Sequence, residues 1–409
     1  MNIFGVPAKE YRKRRENLIG KLPDKSVAII PSNIDALLSI TPYRQASNFL
    51  YFTGYERDKS ILILFKNGKM KKSFFVTEEN DPTMELWVGK RPKLDYIREH
   101  YLFDNVIPAK KFNSFLSRLL KNSDNLYFYF PPEPMEILGQ ERILSNKLKE
   151  KYPYLAVQPL LPIISKLRRK KSKSEINLIK KAIEITREGI LNGVKEIKPG
   201  KYEYQVQAAL EYGFRYNGSR NNAFSSIIAS GINSTILHYS ENNSRIPENG
   251  VILFDVGSEY NYYASDISRT FPTSRRFSRK QKNIYEAVLD AQKVVIKRIK
   301  PGKTFKDLNE LTVKLLSKAM LKLKYIKDKK DIVKYYYHGV SHPIGLDIHD
   351  LSDNNILEVG DVISCEPGLY VREEKIGVRI EDDILVTKEG AQVLSDSIPK
   401  EINDIYNLF

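Results

Sequence analysis

The sequence is poor in several residues that would mark special environments. It has one cysteine, Cys365, so no internal disulfide can form, and this sparing use suits a reducing compartment. Its longest apolar runs, such as Ile61-Leu-Ile-Leu-Phe65, are far too short to cross a bilayer. Met1-Asn-Ile-Phe-Gly-Val-Pro7 lacks the basic, apolar and cleavage regions of a secretory signal. A cytoplasmic protein with no membrane partner is therefore expected. Tryptophan occurs once, at Trp87, and on composition alone reads as a core or interface residue.

Acidic charge falls short of basic charge, with 50 Asp and Glu against 66 Lys and Arg, a formal net of +16. Such an excess can favour nucleic acid. Here the cations are spread along the chain, and the densest runs, Arg12-Lys-Arg-Arg15 and Arg168-Arg-Lys-Lys171, have no interleaved aromatics. The excess reads as a solvated lysine surface, and no nucleic-acid partner is expected.

The remaining composition is ordinary for a globular chain, with 42% hydrophobic and 28% charged residues in 409. That length predicts two domains. In residues 1–165, strands are expected at Val27–Ile30, Asn48–Phe52, Ser60–Phe65, Ser73–Val76 and Leu126–Phe130, with Asn67-Gly68 as a hairpin turn. Helices are expected at Tyr11–Leu22, Thr83–Trp87, Asn113–Leu120 and Glu136–Glu150, giving a small mixed α/β domain. A proline-bounded, lysine-rich stretch from Pro159 to Ser174 breaks the composition, and a second domain covers 172–409. Ser174 and Glu175 open a long helix through Val194, with Ile176, Ile179, Ile183, Thr186, Ile190 and Val194 on one face.

The second domain contains an internal echo. Lys198-Pro-Gly-Lys201 and Lys300-Pro-Gly-Lys303 each separate two helices, and His238 precedes Asp255 by the same seventeen residues that separate His349 from Glu366. Two halves of helix, turn, helix and acidic hairpin predict a pseudo-twofold fold, its hairpins at the centre and its helices outside.

Those hairpins place carboxylates inside apolar, β-branched runs: Val251-Ile-Leu-Phe-Asp255 returning through Asp266, and Val362-Ile-Ser-Cys-Glu366 returning through Glu381. Isolated carboxylates are costly to bury. With turns centred on Tyr260-Asn261 and Glu373-Glu374, Asp255 faces Asp266 and Glu366 faces Glu381, about 4.5–5.5 Å apart, where like charges repel. Four converging carboxylates then need a cation. Three of the five histidines, His338, His342 and His349, lie within twelve residues just upstream. Carboxylates with one imidazole suit Mn²⁺ or a related ion rather than thiolate-bound zinc, and so many anionic ligands suit two ions about 3.5–4 Å apart. The plainer alternative is a set of strand-end acids paired with Arg269 and Arg379. Cys365 alternates with Glu366 and should point away as buried filler.

Taken together, His338-Gly-Val-Ser-His342-Pro-Ile-Gly-Leu-Asp-Ile-His349-Asp350, Asp255-Val-Gly257, Asp266-Ile-Ser-Arg-Thr-Phe271, Glu366-Pro-Gly-Leu-Tyr370 and Gly377-Val-Arg-Ile-Glu381 resemble the pita-bread metallopeptidases, specifically aminopeptidase P. Ile236-Leu-His-Tyr-Ser-Glu-Asn242 is similar to that family's substrate-side histidine segment, and Asn48-Phe-Leu-Tyr-Phe-Thr-Gly54 and Leu86-Trp-Val-Gly-Lys-Arg91 resemble its N-terminal domain. The resemblance implies an α/β (α+β) chain whose pita-bread domain hydrolyses the first bond of peptides with proline second.

By the same resemblance, Asp255 chelates one Mn²⁺, His342 and Glu366 hold the other, and Asp266 and Glu381 bridge both. Glu366 is the implied general base and acid, and His238 and His349 flank the scissile peptide. Arg379 orients a bridging carboxylate or binds the substrate main chain, Tyr370 belongs to the outer shell, and His338 supports its loop. His100, remote from every motif, reads as a surface or packing residue. Prolidase shares fold and ligands but cleaves dipeptides, and Ser341 favours aminopeptidase P over it. The N-terminal domain disfavours a methionine aminopeptidase, and retention of all five ligands disfavours a non-catalytic binding module.

The resemblance also gives Trp87 a use, reaching a neighbouring subunit's site in a homodimer or homotetramer. Trp87→Ala is expected to weaken binding of longer peptides at unchanged metal content. Steady-state kinetics beside metal analysis check this, and unaltered kinetics on such peptides would reject the role.

Overall fold

Runs of valine, isoleucine and phenylalanine in the first 160 or so residues assemble into one six-stranded sheet. Its order is Asn105–Pro108, Met70–Thr77, Ser60–Asn67, Ser26–Pro31, Asn125–Phe128 and Ala156–Pro159, antiparallel at the centre and parallel on both flanks. The computed structural model describes residues 2–33, 43–130 and 140–409, and the chain divides into two units, Met1–Arg168 and Arg169–Phe409. In the first unit Val27, Ile29, Ile63 and Phe65 of the sheet pack on Phe115, Leu116, Leu119 and Leu120 of the helix Phe112–Leu120. The helix expected at Glu136–Glu150 is Gln140–Lys151, its first four expected positions lying outside the described residues.

Two expectations fail in this unit for local reasons. Asn48–Phe52 is not a strand but part of the helix Ser47–Thr53, ended by Gly54 at φ +67°. All of Asn48–Thr53 is buried, and a short run that is apolar on every side carries no period to separate helix from strand. Buried Arg14 and Arg15 donate to the carbonyls of Tyr51 and Phe52 at 3.1 and 2.9 Å, satisfying a helix end that solvent cannot reach. The Asn67 turn sits one residue later than expected: Asn67 pairs with Met70 around Gly68-Lys69, with Gly68 at φ +56°.

The second unit is built from two helix pairs and two long hairpins. Helices Lys173–Lys195 and Glu203–Tyr216 form one pair, and Arg279–Ile296 and Phe305–Lys322 the other. Each pair is joined through Lys-Pro-Gly, with Gly200 and Gly302 at nearly equal φ of +86° and +84°. The first helix is capped by Ser172 rather than Ser174, because only Ser172 puts Glu175 at the third helical position for a reciprocal capping box.

In the first hairpin Val251–Val256 pairs with Ile267–Pro272, and Ser258–Tyr260 with Tyr263–Ala264 nearer the tip. The turn falls on Asn261-Tyr262, both at positive φ, one residue beyond the expected position. Asp255 therefore faces Ser268 instead of Asp266. Asp266 is displaced by two residues, so it keeps the same face and meets Asp255 diagonally.

In the second hairpin one register runs through two sheets, Cys365 opposite Asp382 and Gly368 opposite Arg379. Glu366 and Glu381 lie at the break between them, opposed as expected. The tip is the turn Arg372–Glu374, closed by Lys375 at φ +56°. Cys365 belongs to an apolar cluster with Val295, Leu308 and Ile384. No helix among the described residues is long and apolar enough to cross a membrane.

Polar contacts join the hairpins. The Glu381 amide donates to the Ser268 carbonyl at 3.0 Å, and the Arg379 amide to Thr270 Oγ1 at 3.2 Å. Beneath them Arg269 and Asp382 form an ion pair at 2.8 Å with neither side chain exposed. Asp382 also accepts from Ser395, Gln292 and Lys400. Burial opposes its ionisation, yet Arg269 and Lys400 hold its pKa below the ordinary carboxylate value. That stabilisation is complete above the ordinary value near pH 4 and is lost as pH falls below it. Asp382→Asn leaves Arg269 buried and uncompensated, and is expected to cost about 3–5 kcal/mol in urea unfolding of metal-free protein at pH 7. A change under about 1 kcal/mol would remove the pair from the structural framework.

Candidate metal centre

The centre forms where the two hairpins meet the His338–Asp350 loop. This loop runs antiparallel to Val362–Cys365: the Ser364 amide donates to the His342 carbonyl at 2.9 Å, and the Glu366 amide to the Val340 carbonyl at 2.9 Å. Ser364 Oγ accepts from the His342 amide at 3.0 Å and donates to Glu366 Oε1 at 3.3 Å. His342 Nδ1 lies 3.2 Å from the Pro343 carbonyl, which fixes Nδ1 as donor and presents Nε2 to the acids. Nε2 is 3.4 Å from Asp266 Oδ2, 3.4 Å from Glu366 Oε1 and 4.0 Å from Glu381 Oε1. Asp266, His342 and Glu381 each offer a ligand atom, and these lie within 4.8 Å of one another.

Asp255 completes the set. Its Oδ2 accepts from Arg379 Nη2 at 2.6 Å, while Oδ1 is buried with no hydrogen-bond partner. Glu381 is alike: Oε2 accepts from Ser268 Oγ at 2.8 Å, and Oε1 is buried without one. The Arg379 ion pair expected of an ordinary strand acid is therefore present, but it satisfies only one of the Asp255 oxygens.

Burial and mutual repulsion show in the titration of the group. Burial and the Asp255 charge raise the Asp266 pKa to about 6. Burial, with Asp266 adding to it against the charge of His342, raises Glu366 to about 7. Glu381 is pushed well above the carboxylate range by burial and by Asp266, Glu366 and Asp255. Burial disfavours the imidazolium of His342, yet Asp266 and Glu366 raise it to about 9. Acids this crowded, two of them with an unpartnered buried oxygen, fit hard divalent cations.

These five residues, His238, His349 and Arg379 line one cavity of about 500 Å³. The His349 ring lies edge-on to that of His342 at 4.3 Å. Tyr370, expected in the outer shell of the site, does not line this cavity; it is buried, accepting from Arg379 Nη1 at 2.9 Å and bonded to His338 Nε2 at 2.9 Å. Trp87 is not in this cavity. It lies in the first unit on the helix Pro82–Val88, 80% exposed, and so is no core residue. His100 stacks on Tyr96 in that unit. A larger cavity there, about 760 Å³, is lined by charged side chains that pair with one another, such as Arg91 and Asp58 at 2.6 Å, so size does not mark the chemistry.

Ser268 and Ser364, which donate to Glu381 and Glu366, are contacts of the site that the sequence reading passed over. Ser268 joins Arg379 Nε, at 2.9 Å, to Glu381. Each lies two residues from an acid, after Asp266 and before Glu366, so the strand period that found the acids also marks these serines as sharing their face.

The model for metallopeptidase family M24 matches residues 177–388, and that for the aminopeptidase P N-terminal domain matches residues 11–128. The chain is 31% identical to a Xaa-Pro aminopeptidase of Haemophilus influenzae, the match covering 98% of this chain and 97% of that protein. It is 30% identical to mitochondrial intermediate cleaving peptidase 55 of Arabidopsis thaliana, over 99% and 83% of the two chains. The structure of aminopeptidase P from E. coli with the inhibitor Pro-Leu superposes with a TM-score of 0.91 at 29% identity, covering 98% of each chain.

Cation binding at these acids must displace protons held at neutral pH. Affinity for Mn²⁺ is expected to rise as pH increases from 5.5 to 9, through the raised values of Asp266, Glu366 and His342. Calorimetry at pH 7 in buffers of different ionisation enthalpy should show net proton release. Affinity independent of pH, with no protons released, would contradict this arrangement.

Proposed function

The chain belongs to metallopeptidase family M24, and from that premise we propose that it releases the N-terminal residue from peptides whose second residue is proline. It is a hydrolase of the metallo-aminopeptidase class. The observation that carries the reading is the meeting of Asp255, Asp266, His342, Glu366 and Glu381 on one cavity. The match of residues 11–128 to the aminopeptidase P N-terminal domain supports the choice within the family.

In this assignment Asp255 would hold one ion, His342 and Glu366 would hold a second, and Asp266 and Glu381 would serve both. Two divalent ions, manganese in our assignment because the donors are carboxylates and one imidazole, would supply Lewis-acid polarisation of a carbonyl and an acidified water when bound. Glu366 accepts a proton at its carboxylate and returns it to the leaving nitrogen. His238 and His349 stand on the cavity wall, where an imidazole N–H stabilises developing negative charge or donates to that nitrogen. Arg379 acts on the acids: it bonds Asp255 directly and holds Ser268, which donates to Glu381. The proline nitrogen is a tertiary amide without N–H, so recognition rests on ring shape. Phe224, Ile227, Leu237 and Ile348 give the same cavity an apolar wall for it.

Leu86 and Trp87 are 88% and 80% exposed on a helix with no buried residue, which supports a homodimer or homotetramer that covers them. A cytoplasmic location fits the lone, buried cysteine.

With Mn²⁺ present, an Xaa-Pro-Xaa tripeptide is expected to be hydrolysed faster than an Xaa-Pro dipeptide, and Glu366→Ala to lower kcat about 10²–10⁴-fold. Preference for the dipeptide would assign a prolidase instead. Purified protein that binds no divalent metal would assign a non-catalytic module.

A further inference from the structure

His238 is exposed and makes no hydrogen bond of its own among the described residues, yet the proposed chemistry needs its imidazole at one place on the cavity wall. The restraint must come through the backbone. The segment carrying it leaves the strand Ile227–Ser230, passes the turn Gly231–Thr235, and returns at Arg245 to bridge Tyr202, just before the helix Glu203–Tyr216.

Both ends of this segment converge on one carboxylate. Glu203 has no exposed surface. Its Oε1 accepts from the Ser230 amide at 2.7 Å, Ser230 Oγ at 2.7 Å and Asn233 Nδ2 at 3.2 Å. Its Oε2 accepts from the Tyr239 hydroxyl at 2.7 Å and the Ser244 amide at 2.9 Å. One oxygen thus grips the chain before His238 and the other grips it after, Tyr239 being the next residue. Asn242 braces the same loop at φ +47°, accepting from the Ile228 amide at 2.9 Å and donating to the Ser226 carbonyl at 2.7 Å. A carboxylate is needed here because all five partners donate. Glutamine would set its NH₂ against a main-chain N–H, that of Ser230 or of Ser244, whichever way it turned.

We propose that Glu203 is a positioning residue that sets the place of the His238 imidazole by clamping both ends of its segment. The proposal rests on the role given to His238 above. Glu203 does not line the cavity, its hydrogen bonds go to Ser230, Asn233, Tyr239 and Ser244, and its effect passes through His238.

The test is a double-mutant cycle on tripeptide hydrolysis by the metal-loaded enzyme. Glu203→Gln and Tyr239→Phe are each made in the native and His238→Ala backgrounds, with metal content and thermal midpoint followed. Glu203→Gln is expected to lower kcat/KM about tenfold in the native background. In His238→Ala it should lower it less than about twofold, and Tyr239→Phe should follow the same pattern with a smaller effect. A purely structural role would give equal losses in both backgrounds and overturns the proposal.

Imidazole NMR supplies a readout without substrate, since the chain has only five histidines. The His238 signal, assigned by its loss in His238→Ala, should shift or broaden in Glu203→Gln, and an unmoved signal overturns the proposal. Should Glu203→Gln fail to fold, Tyr239→Phe decides by the same two measurements. Full activity of His238→Ala would defeat the catalytic role of His238 alone, leaving the NMR signal to decide the clamp.

Discussion

Repulsion among four carboxylates on one cavity is the constraint around which the second unit is arranged. Asp255, Asp266, Glu366 and Glu381 are each drawn from water, and burial and neighbouring charge raise the pKa of the last three. Such a cluster persists only where cations and donors offset its cost. Arg379, His342, Ser268 and Ser364 offset part of it, each by a named contact with an acid oxygen. Two buried oxygens, Asp255 Oδ1 and Glu381 Oε1, receive no hydrogen bond and are the ones a divalent ion would take.

Adjacent residues on the returning arm of the second hairpin show how local the arrangement is. Glu381 faces the acids and has a raised pKa; Asp382, the next residue, turns to Arg269 and Lys400 and has a lowered one. Glu381 sits at the break just before the strand Asp382–Val386, and successive residues of extended chain point to opposite sides, which separates the two environments. One side of this arm presents an electron-rich cavity. The other carries the ion pair that holds the hairpin against its neighbour, so scaffold and chemistry share a backbone while remaining electrostatically distinct.

Much of the site was legible because its signals are short-range. An acid inside a β-branched run and three histidines in twelve residues can be read without tertiary information. The Glu366–Glu381 opposition followed from hairpin arithmetic, since one register runs through both of its sheets. Asp255 and Asp266 met the same arithmetic less well, because the turn moved to Asn261-Tyr262, and the two-residue displacement preserved the face only because it was even. Asn48–Phe52 was misread for a different reason: its helical state depends on Arg14 and Arg15 closing its end from elsewhere in the unit.

By itself, then, the chain specified its acidic strands, its histidine loop, its repeated Lys-Pro-Gly turns and the chemical character of the centre, because each is set by residue type and by periods of two or a few residues. Tertiary structure alone decided which oxygens stay unpartnered, how Arg379 reaches Asp255 across 124 positions of sequence, and how Glu203 comes to hold both ends of the His238 segment. Those contacts depend on distances between elements remote along the chain, and only the packed hairpins and helices set such distances.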